Sequence, residues 1–412
     1  MNNINLVEKM PEMLSGKALY DRLTDIPEYD EAIREKSSTE RLMALSTLYD
    51  IYLPSEMSVE IYSKLYLALV RSLQKKGTQA AVQQSYQNHN AIMRRESRGI
   101  IGGSDSFSIV GCSGIGKSSA INRAISIITE NRMIEAEKPM VRIIPCLIVQ
   151  CPWDASVKSM LLEILRKSDE LLETNYYGNA LKARATTDVL IGIVSQVALK
   201  HIGLLIIDEI QNCVASKNGK GLVAMLTQLI NSSGISIGLI GTLETIPLFE
   251  SALHLARRSL GLQYDALKND EYFGAFCKLL FKFQYVQNST DITPQVIDWL
   301  YEHSGGVTSI VVSLIHDAQE IAILEGHEML DVSMLNQAYE KRMQLLHDYI
   351  RPAATVTVKS TAVKRKKNRI EKSTAAINDS CNILELVQKS KTEGLDIVEL
   401  FKEHFIVEEI VL

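Results

Sequence analysis

One stretch of the chain limits the possible folds more than any other. Residues 111–118 read Gly-Cys-Ser-Gly-Ile-Gly-Lys-Ser and fit the pattern G-x-x-x-x-G-K-[ST], a loop that wraps around phosphate oxygens. The apolar residues 107–110 before it predict a buried strand, and residues 119–128 after it repeat apolar side chains at helical spacing. The loop therefore has the strand-to-helix context that phosphate binding requires. A glycine-rich turn without a ligand is the simpler alternative.

The residue types of this loop suit a triphosphate. Lys117 offers a positive charge to the β- and γ-phosphates, and the hydroxyl of Ser118 can bind Mg²⁺. The glycines let the backbone approach phosphate oxygens closely, because no Cβ obstructs it. The predicted nucleotide-binding residues are Gly111, Ser113, Gly114, Ile115, Gly116, Lys117, Ser118 and Ser119.

Two carboxylates follow another predicted strand. Residues 204–207 are all apolar, and Asp208 and Glu209 come directly after them. We expect Asp208 to hold Mg²⁺, usually through water, and Glu209 to orient and polarise the water that attacks the γ-phosphate. Two acids at a strand exit are common in isolation. In an alternating β/α region that also carries the phosphate-binding loop, they predict the catalytic part of an ATPase site.

Three more residues complete the predicted catalytic set. Thr242 ends the apolar stretch 235–242, where it can contact the γ-phosphate or the attacking water. Arg257 and Arg258 follow the next helix, and in ring or filament ATPases an arginine at this location reaches a neighbour's γ-phosphate. Exposed arginines at a helix end, near its favourable dipole, are the alternative for either residue.

The order of these parts predicts the fold class. A phosphate-binding loop, an acidic strand end and a polar strand end follow one another as in AAA+ ATPases. Apolar strands with helices between them predict an α/β fold, in which helices cover both faces of a parallel sheet. Ligand is expected at the carboxyl ends of the strands. The predicted strands are 107–110, 143–150, 204–209, 235–242 and 279–283.

Four regions are predicted along the chain. Residues 1–100 are interpreted as an N-terminal helical extension that docks a partner, and residues 101–290 as the AAA+ P-loop ATPase core. Residues 291–350 show only helical patterns and predict a small helical lid. Residues 351–412 are interpreted as a basic flexible linker and a C-terminal partner-binding tail, because eight Lys/Arg face one acid within 351–372.

Composition excludes several classes of protein. The 412-residue chain has a formal net charge of −5, so it is no basic nucleic-acid coat, and any DNA contact must come from a local patch. Six cysteines form no C-x-x-C pair and eight histidines form no H-E-x-x-H cluster, which predicts reduced thiols and no zinc site. Without a signal peptide or an apolar run of roughly 18 residues, we expect a cytoplasmic protein with no membrane contact.

Flanking motifs narrow the family. Around the loop and the acid pair, short stretches resemble the TnsC/TniB group of transposon-encoded AAA+ ATPases, and residues 258–285 are more similar to TnsC of heteromeric-transposase elements than to TniB. The resemblance covers roughly residues 15–355. Its flanking motifs are Tyr20-Asp21-Arg22-Leu23, Pro27-Glu28-Tyr29-Asp30, residues 149–159, Ile240-Gly241-Thr242, Ala256-Arg257-Arg258, Ser304-Gly305-Gly306-Val307 and Tyr349-Ile350-Arg351-Pro352.

The resemblance implies a function. Members of this group bind ATP with Mg²⁺, assemble along duplex DNA as rings or helical filaments, and connect a target-selection protein of the TnsD/TniQ kind to the transposase subunits. ATP hydrolysis then limits the assembly. DNA contacts would be mostly to phosphates, without sequence preference. One departure concerns the lid, where many AAA+ proteins carry an arginine and this chain has Val307-Thr308-Ser309.

Two other functions stay open from the sequence. An oligomerising signalling P-loop ATPase would act without DNA, but it would be expected to carry a repeat-rich sensor region, and no repeat of about 20–50 residues is found. An origin initiator or helicase loader would usually end in a winged-helix DNA-binding domain. Residues 376–412 are too short for such a domain.

Overall fold

The central element is a six-stranded sheet. In the computed structural model, residues 6–76, 78–93, 101, 106–137, 140–251 and 261–343 are described, and all lie in one compact unit, Met1–Val356. The strands follow the spatial order β2-β3-β4-β5-β1-β6, and every neighbouring pair is parallel except β2 with β3. The strands are Ser106–Gly111 (β1), Ile134–Glu137 (β2), Met140–Gln150 (β3), Ile202–Asp208 (β4), Ser236–Gly241 (β5) and Leu262–Tyr264 (β6).

Four of the five predicted strands are confirmed, and the fifth is wrong. Leu279 and Leu280 end a helix, Glu271–Leu280, and the following Phe281 and Phe283 are buried among other helices. The last parallel strand is instead β6, which pairs only with β1.

Helices make up most of the remaining described chain. Several helices begin where a side chain caps them: the hydroxyl of Thr293 accepts the N–H of Val296, with Pro294 at the first turn. Short 3₁₀ helices occupy Leu6–Lys9, Glu31–Glu35, Leu45–Asp50 and Leu243–Thr245. The α-helices are Gly16–Leu23 (α1), Ser38–Ala44 (α2), Glu56–Lys76 (α3), Gln79–Ile92 (α4), Lys117–Thr129 (α5), Val157–Leu172 (α6), Tyr176–Lys182 (α7), Thr187–His201 (α8), Asn212–Ala215 (α9), Gly219–Ser233 (α10), Ile246–Ser251 (α11), Glu271–Leu280 (α12), Pro294–Ser304 (α13), Thr308–Glu325 (α14) and Val332–Arg342 (α15).

Both faces of the sheet are covered, as the apolar strands predict. Along β4, Leu204 and Ile206 join the core shared with α3 and α5, while Leu205 and Ile207 join the core shared with α6, α8 and α10. Alternation of side chains between two buried faces explains why this strand has no polar residue before Asp208. Helix α3, from the first hundred residues, is thus a layer of the sheet's own packing.

A third core lies among the helices α12–α15, called the lid helices below. It also contains Leu45, Leu48 and Ile51 from the N-terminal part of the chain, so that part contributes to two separate cores. Helix α12 belongs to the same core although it precedes residue 291, where the lid was predicted to begin. The predicted domain limits stay predictions.

The N-terminal chain passes twice between the core of α3 and α5 and the core of the lid helices, near Asp25 and near Tyr52, and these two residues lie side by side. Asp25 and Tyr52 form an isolated antiparallel bridge, with N···O distances of 3.0 and 2.7 Å. Arg123 of α5 binds both: its guanidinium lies 2.7 Å from the Asp25 carboxylate and 4.5 Å from the centroid of the Tyr52 ring. Since α5 begins at Lys117, the crossing is attached to the helix that follows the phosphate-binding loop.

Arg41 joins α2 to the lid helices through a buried ion pair. Its two terminal nitrogens lie 2.6 and 2.7 Å from the carboxylate oxygens of Glu328, and it also donates to the carbonyl of Tyr285 at 3.0 Å. The Arg41 side chain is 1% exposed. Hydrogen bonds from this guanidinium are the main cause that lowers the pKa of Glu328.

The described residues contain no single helix long and apolar enough to cross a membrane; α13 and α14 meet that requirement only when joined across their bend of 118°. Five cysteines, at positions 112, 146, 151, 213 and 277, are unbonded thiols, as predicted. The sixth, Cys381, lies outside the described residues.

We predict that Glu328→Gln destabilises the protein by roughly 3 kcal/mol, because it leaves the buried charge of Arg41 without a carboxylate. Glu325→Gln is the matched control, because Glu325 pairs with Lys341 on the surface. It should change the free energy of unfolding by less than about 1 kcal/mol. Urea unfolding measures both. Because the folded-state pKa of Glu328 is lowered, its contribution is full above the ordinary glutamate value and fades as pH falls through the lowered one. Equal effects of the two variants would contradict the prediction.

Candidate active site

A cavity of about 420 Å³ lies at the carboxyl ends of β1, β4 and β5. The strand order explains its position, because β5 lies between β4 and β1 and the three strands end at one edge. The cavity contains the loop 113–119 and the three predicted strand-end residues, Asp208, Glu209 and Thr242. Gly111 ends β1 directly before the loop. Residues far apart in sequence therefore meet at one site.

Two glycines give the loop its shape. Gly114 and Gly116 have φ values of +79° and +89°, a region that side chains with a Cβ rarely adopt. Gly116 immediately precedes α5, so Lys117, Ser118 and Ser119 form that helix's first turn. Their backbone N–H groups have no partner within the helix and suit an anion.

The ammonium of Lys117 lies inside the curve of the loop. Its Nζ donates to the carbonyls of Gly111 at 2.9 Å and Cys112 at 2.6 Å. Burial is the main cause that lowers the pKa of Lys117, and the neighbouring Cys112, Asp208 and Glu209 act in the opposite direction. A phosphate at this point would supply the counter-charge that the half-buried ammonium lacks.

The acid pair has a fixed backbone. Asp208 ends β4, and its Oδ1 accepts the N–H of Glu209 at 2.9 Å. Glu209 has a φ of +59°, a strained conformation for a residue with a side chain. Ile210 then donates its N–H to the carbonyl of Ile240 at 2.9 Å, which fastens the turn to the end of β5.

Ser118 and Asp208 fit the predicted magnesium site by donor type. A hydroxyl and a carboxylate are the hard oxygen ligands that Mg²⁺ takes while it keeps several waters. Both residues line the cavity, and Asp208 Oδ2 has no hydrogen-bond donor among the described residues.

Thr242 lies directly after β5, and its hydroxyl is buried. That Oγ1 has no hydrogen-bond partner among the residues described, and Thr242 lines the cavity. A buried hydroxyl without a partner is costly in a finished structure, so this atom is available to a ligand or a water.

The lid helices touch the phosphate-binding loop directly. The carbonyl of Gly114 accepts the N–H of Ser309 and the hydroxyl of Thr308, both at 3.0 Å. These are the positions where many AAA+ proteins carry an arginine, and here two small polar residues join the lid to the loop.

The sequence motifs did not identify the remaining residues that line the cavity. The N-terminal part contributes Tyr49, Ile51, Tyr52 and Leu53, and α12 contributes Tyr272 and Phe276. Tyr62, in the same part of the chain, is buried in the core, whereas the side chain of Tyr49 is 55% exposed. Arg257 and Arg258 lie outside the described residues.

Comparison with known proteins agrees with this geometry. Residues 100–249 match a family model described as AAA domain. This stretch is similar to an AAA domain, and it contains β1 to β5, the loop, the acid pair and Thr242. The predicted fold, a P-loop AAA+ sheet with helices on both faces, an N-terminal helical extension and a helical lid, is confirmed. No curated protein matches the chain.

Several solved structures are similar to this chain. They include the ORC1 protein of Aeropyrum pernix in complex with DNA (15% identity, 64% of this chain and 64% of that chain, TM-score 0.42), PCH-2 of C. elegans (12%, 73% and 72%, 0.39) and domain III of the Thermotoga maritima replication initiation protein DnaA (12%, 67% and 94%, 0.37). The chain thus spans less than two thirds of the ORC1 protein. These similarities carry no argument about function.

We predict that Gly114→Ala weakens nucleotide binding by the AAA domain at least about tenfold. The new Cβ would strain the backbone by roughly 1–2 kcal/mol and would lie 2.3 Å from the Ser309 hydroxyl and 2.9 Å from a Val307 methyl. Gly221→Ala in α10 is the control, because its Cβ meets nothing within 4 Å. Calorimetry with ATP and Mg²⁺ measures affinity. Wild-type affinity in Gly114→Ala would show that the loop's conformation is not required.

Proposed function

We propose that the protein is an AAA+ ATPase that regulates DNA transposition. In this proposal it binds ATP with Mg²⁺, assembles on duplex DNA as a ring or filament, and couples a target-selection protein to the transposase. The observation that carries the proposal is the meeting of the phosphate-binding loop, the acid pair and Thr242 in one cavity. The role in transposition is supported by the flanking motifs, which follow the order of the TnsC/TniB group.

Each side chain has a place in the proposed hydrolysis. Lys117 and the loop N–H groups hold the phosphates, and Ser118 and Asp208 hold Mg²⁺, which offsets the charge of the triphosphate. Glu209 accepts a proton from a water whose oxygen attacks the γ-phosphorus. The bond from that phosphorus to the oxygen bridging to the β-phosphate breaks, and ADP and phosphate leave. Arg257 or Arg258 would reach this charge from a neighbouring subunit.

A described surface suits contact with DNA. Trp153, in the loop after β3, is 86% exposed, and Lys158, Lys217 and Lys220 are exposed too. The hydroxyl of Ser216 donates to the carbonyl of Asp154 at 2.6 Å, which joins the loop of Trp153 to the segment that carries Lys217 and, in the first turn of α10, Lys220. None of these lysines has an ion pair with a described residue.

The lysines and the exposed aromatic ring favour DNA over protein as the partner of this surface. Lysine is depleted in protein–protein interfaces, whereas lysines on phosphates and an aromatic ring on bases or sugars are typical of nucleic-acid binding. In a chain of net charge −5, such a group of cations stands out locally. We infer that this surface supplies DNA contacts, with further cations from residues 364–367, which lie outside the described residues.

Lys117→Ala should abolish assembly, whereas Glu209→Gln should preserve and prolong it. The first variant loses the charge that binds the triphosphate, and the second binds ATP but lacks the group that takes the proton. Sedimentation with duplex DNA, with and without ATP, measures assembly, and phosphate release measures hydrolysis. Assembly by Lys117→Ala would count against the proposal. ATP-dependent assembly that needs no DNA would instead favour a signalling ATPase.

Fluorescence tests the DNA surface, because the chain has two tryptophans. Trp299 stacks on His303 with ring centroids 3.8 Å apart, so Trp299→Phe leaves Trp153 as the sole reporter. We predict that duplex DNA shields Trp153 from acrylamide, and that Trp153→Ala weakens DNA binding about tenfold. Trp153→Phe is the control and should show no DNA-dependent change. Shielding that follows protein concentration without DNA would mean that a second copy covers Trp153.

A further inference from the structure

Gln211 lies two residues after Glu209 and lines the same cavity. Its side-chain amide donates through Nε2 to Glu209 Oε2. Chemistry fixes the direction of the amide, because an ionised carboxylate can only accept and the NH₂ group is the only donor of the pair. The amide oxygen must then point away from Glu209.

That amide oxygen is buried without a partner. Among the described residues, Gln211 Oε1 and Thr242 Oγ1 are both buried side-chain atoms that make no hydrogen bond. Gln211 Oε1 lies 3.2 Å from where a Cβ would stand on Gly241, the residue before Thr242. Gln211, Thr242 and Glu209 line the same cavity, so the two atoms without a partner and the carboxylate are candidate hydrogen-bond partners for a water there.

The segment that carries Gln211 is held on both sides. Ile210 donates to the end of β5, and the Asn212 side chain donates to the carbonyl of Cys151 at 2.9 Å. The N–H of Val214 bonds to the carbonyl of Gln211 at 2.9 Å. Gln211 therefore presents its amide from a rigid backbone, as a residue that positions a reactant must.

We propose that Gln211 is a positioning residue that holds Glu209 through its amide nitrogen and orients the attacking water through its amide oxygen, together with Thr242. Before the reaction the water donates one hydrogen bond to Glu209 and the other to Gln211 Oε1, which leaves an oxygen lone pair directed at the γ-phosphorus. When that oxygen attacks, the proton that faces Glu209 moves to Glu209, the bond to the bridging oxygen breaks, and ADP leaves. This inference rests on the proposed hydrolysis of ATP.

Two variants separate positioning from structural support. Gln211→Met keeps the shape but removes both polar atoms, and Gln211→Glu keeps the shape but replaces the donor with a like charge beside Glu209. We expect kcat to fall about 10- to 100-fold in both, with KM and ATP affinity by calorimetry within about twofold of wild type. The Tm of Gln211→Met should be unchanged or raised, because a buried oxygen without a partner is gone.

The control is Gln83→Glu on α4, which makes the same charge change on an exposed surface and should leave kcat unchanged.

Each outcome either supports or overturns the inference about Gln211. Wild-type kcat in Gln211→Met, or a loss of ATP affinity and Tm that accounts for the fall in kcat, would overturn the inference. If Glu209→Gln stops turnover while both Gln211 variants turn over normally, the inference fails and the proposed function stands. If the wild type shows no ATP hydrolysis with Mg²⁺ and DNA, both fail.

Discussion

The pairing of β5 between β4 and β1 is the constraint on which the site depends. Parallel strands end at one edge, so this order brings the loop after β1, the acids after β4 and Thr242 after β5 to a common point. The order is maintained by apolar side chains that alternate between two buried faces, as along β4. Burial on both faces favours apolar residues along the strands, and the predicted catalytic side chains Asp208, Glu209 and Thr242 lie at the strand ends.

A second constraint acts on the loop itself. The half-buried ammonium of Lys117 donates to two backbone carbonyls, and the carbonyl of Gly114 accepts hydrogen bonds from the lid residues Thr308 and Ser309. The loop is therefore bonded to the lid helices before any ligand is considered. These hydrogen bonds link the position of the lid helices to that of the loop without a charged side chain.

Much of the core was predictable from the sequence, because motif and pattern agree there. Apolar runs bounded by glycine or acids predict buried strands, and residues 107–110 and 204–207 lie in β1 and β4. The run 279–283 misled because a short apolar stretch fits a strand and a buried helix end equally well. Strand β6 was missed because its three residues lie at the sheet edge and are only partly buried.

The rest of the site depends on contacts between distant segments, which no local pattern contains. Tyr49 and Ile51 reach the cavity only because the N-terminal part packs among the lid helices. Gln211 lies two residues after the recognised acid pair, yet its proposed role follows from the direction of one amide and the proximity of Gly241. Such features arise from packing, so they become visible only in three dimensions.

The paired crossings at Asp25 and Tyr52 have a mechanical consequence. The N-terminal chain packs in both cores, and Arg123 binds it to α5, the helix that begins in the phosphate-binding loop. A force applied to α1 would therefore act on α5 and on the lid helices together. A protein that displaced the N-terminal chain would thus shift the phosphate-binding loop without contacting the cavity.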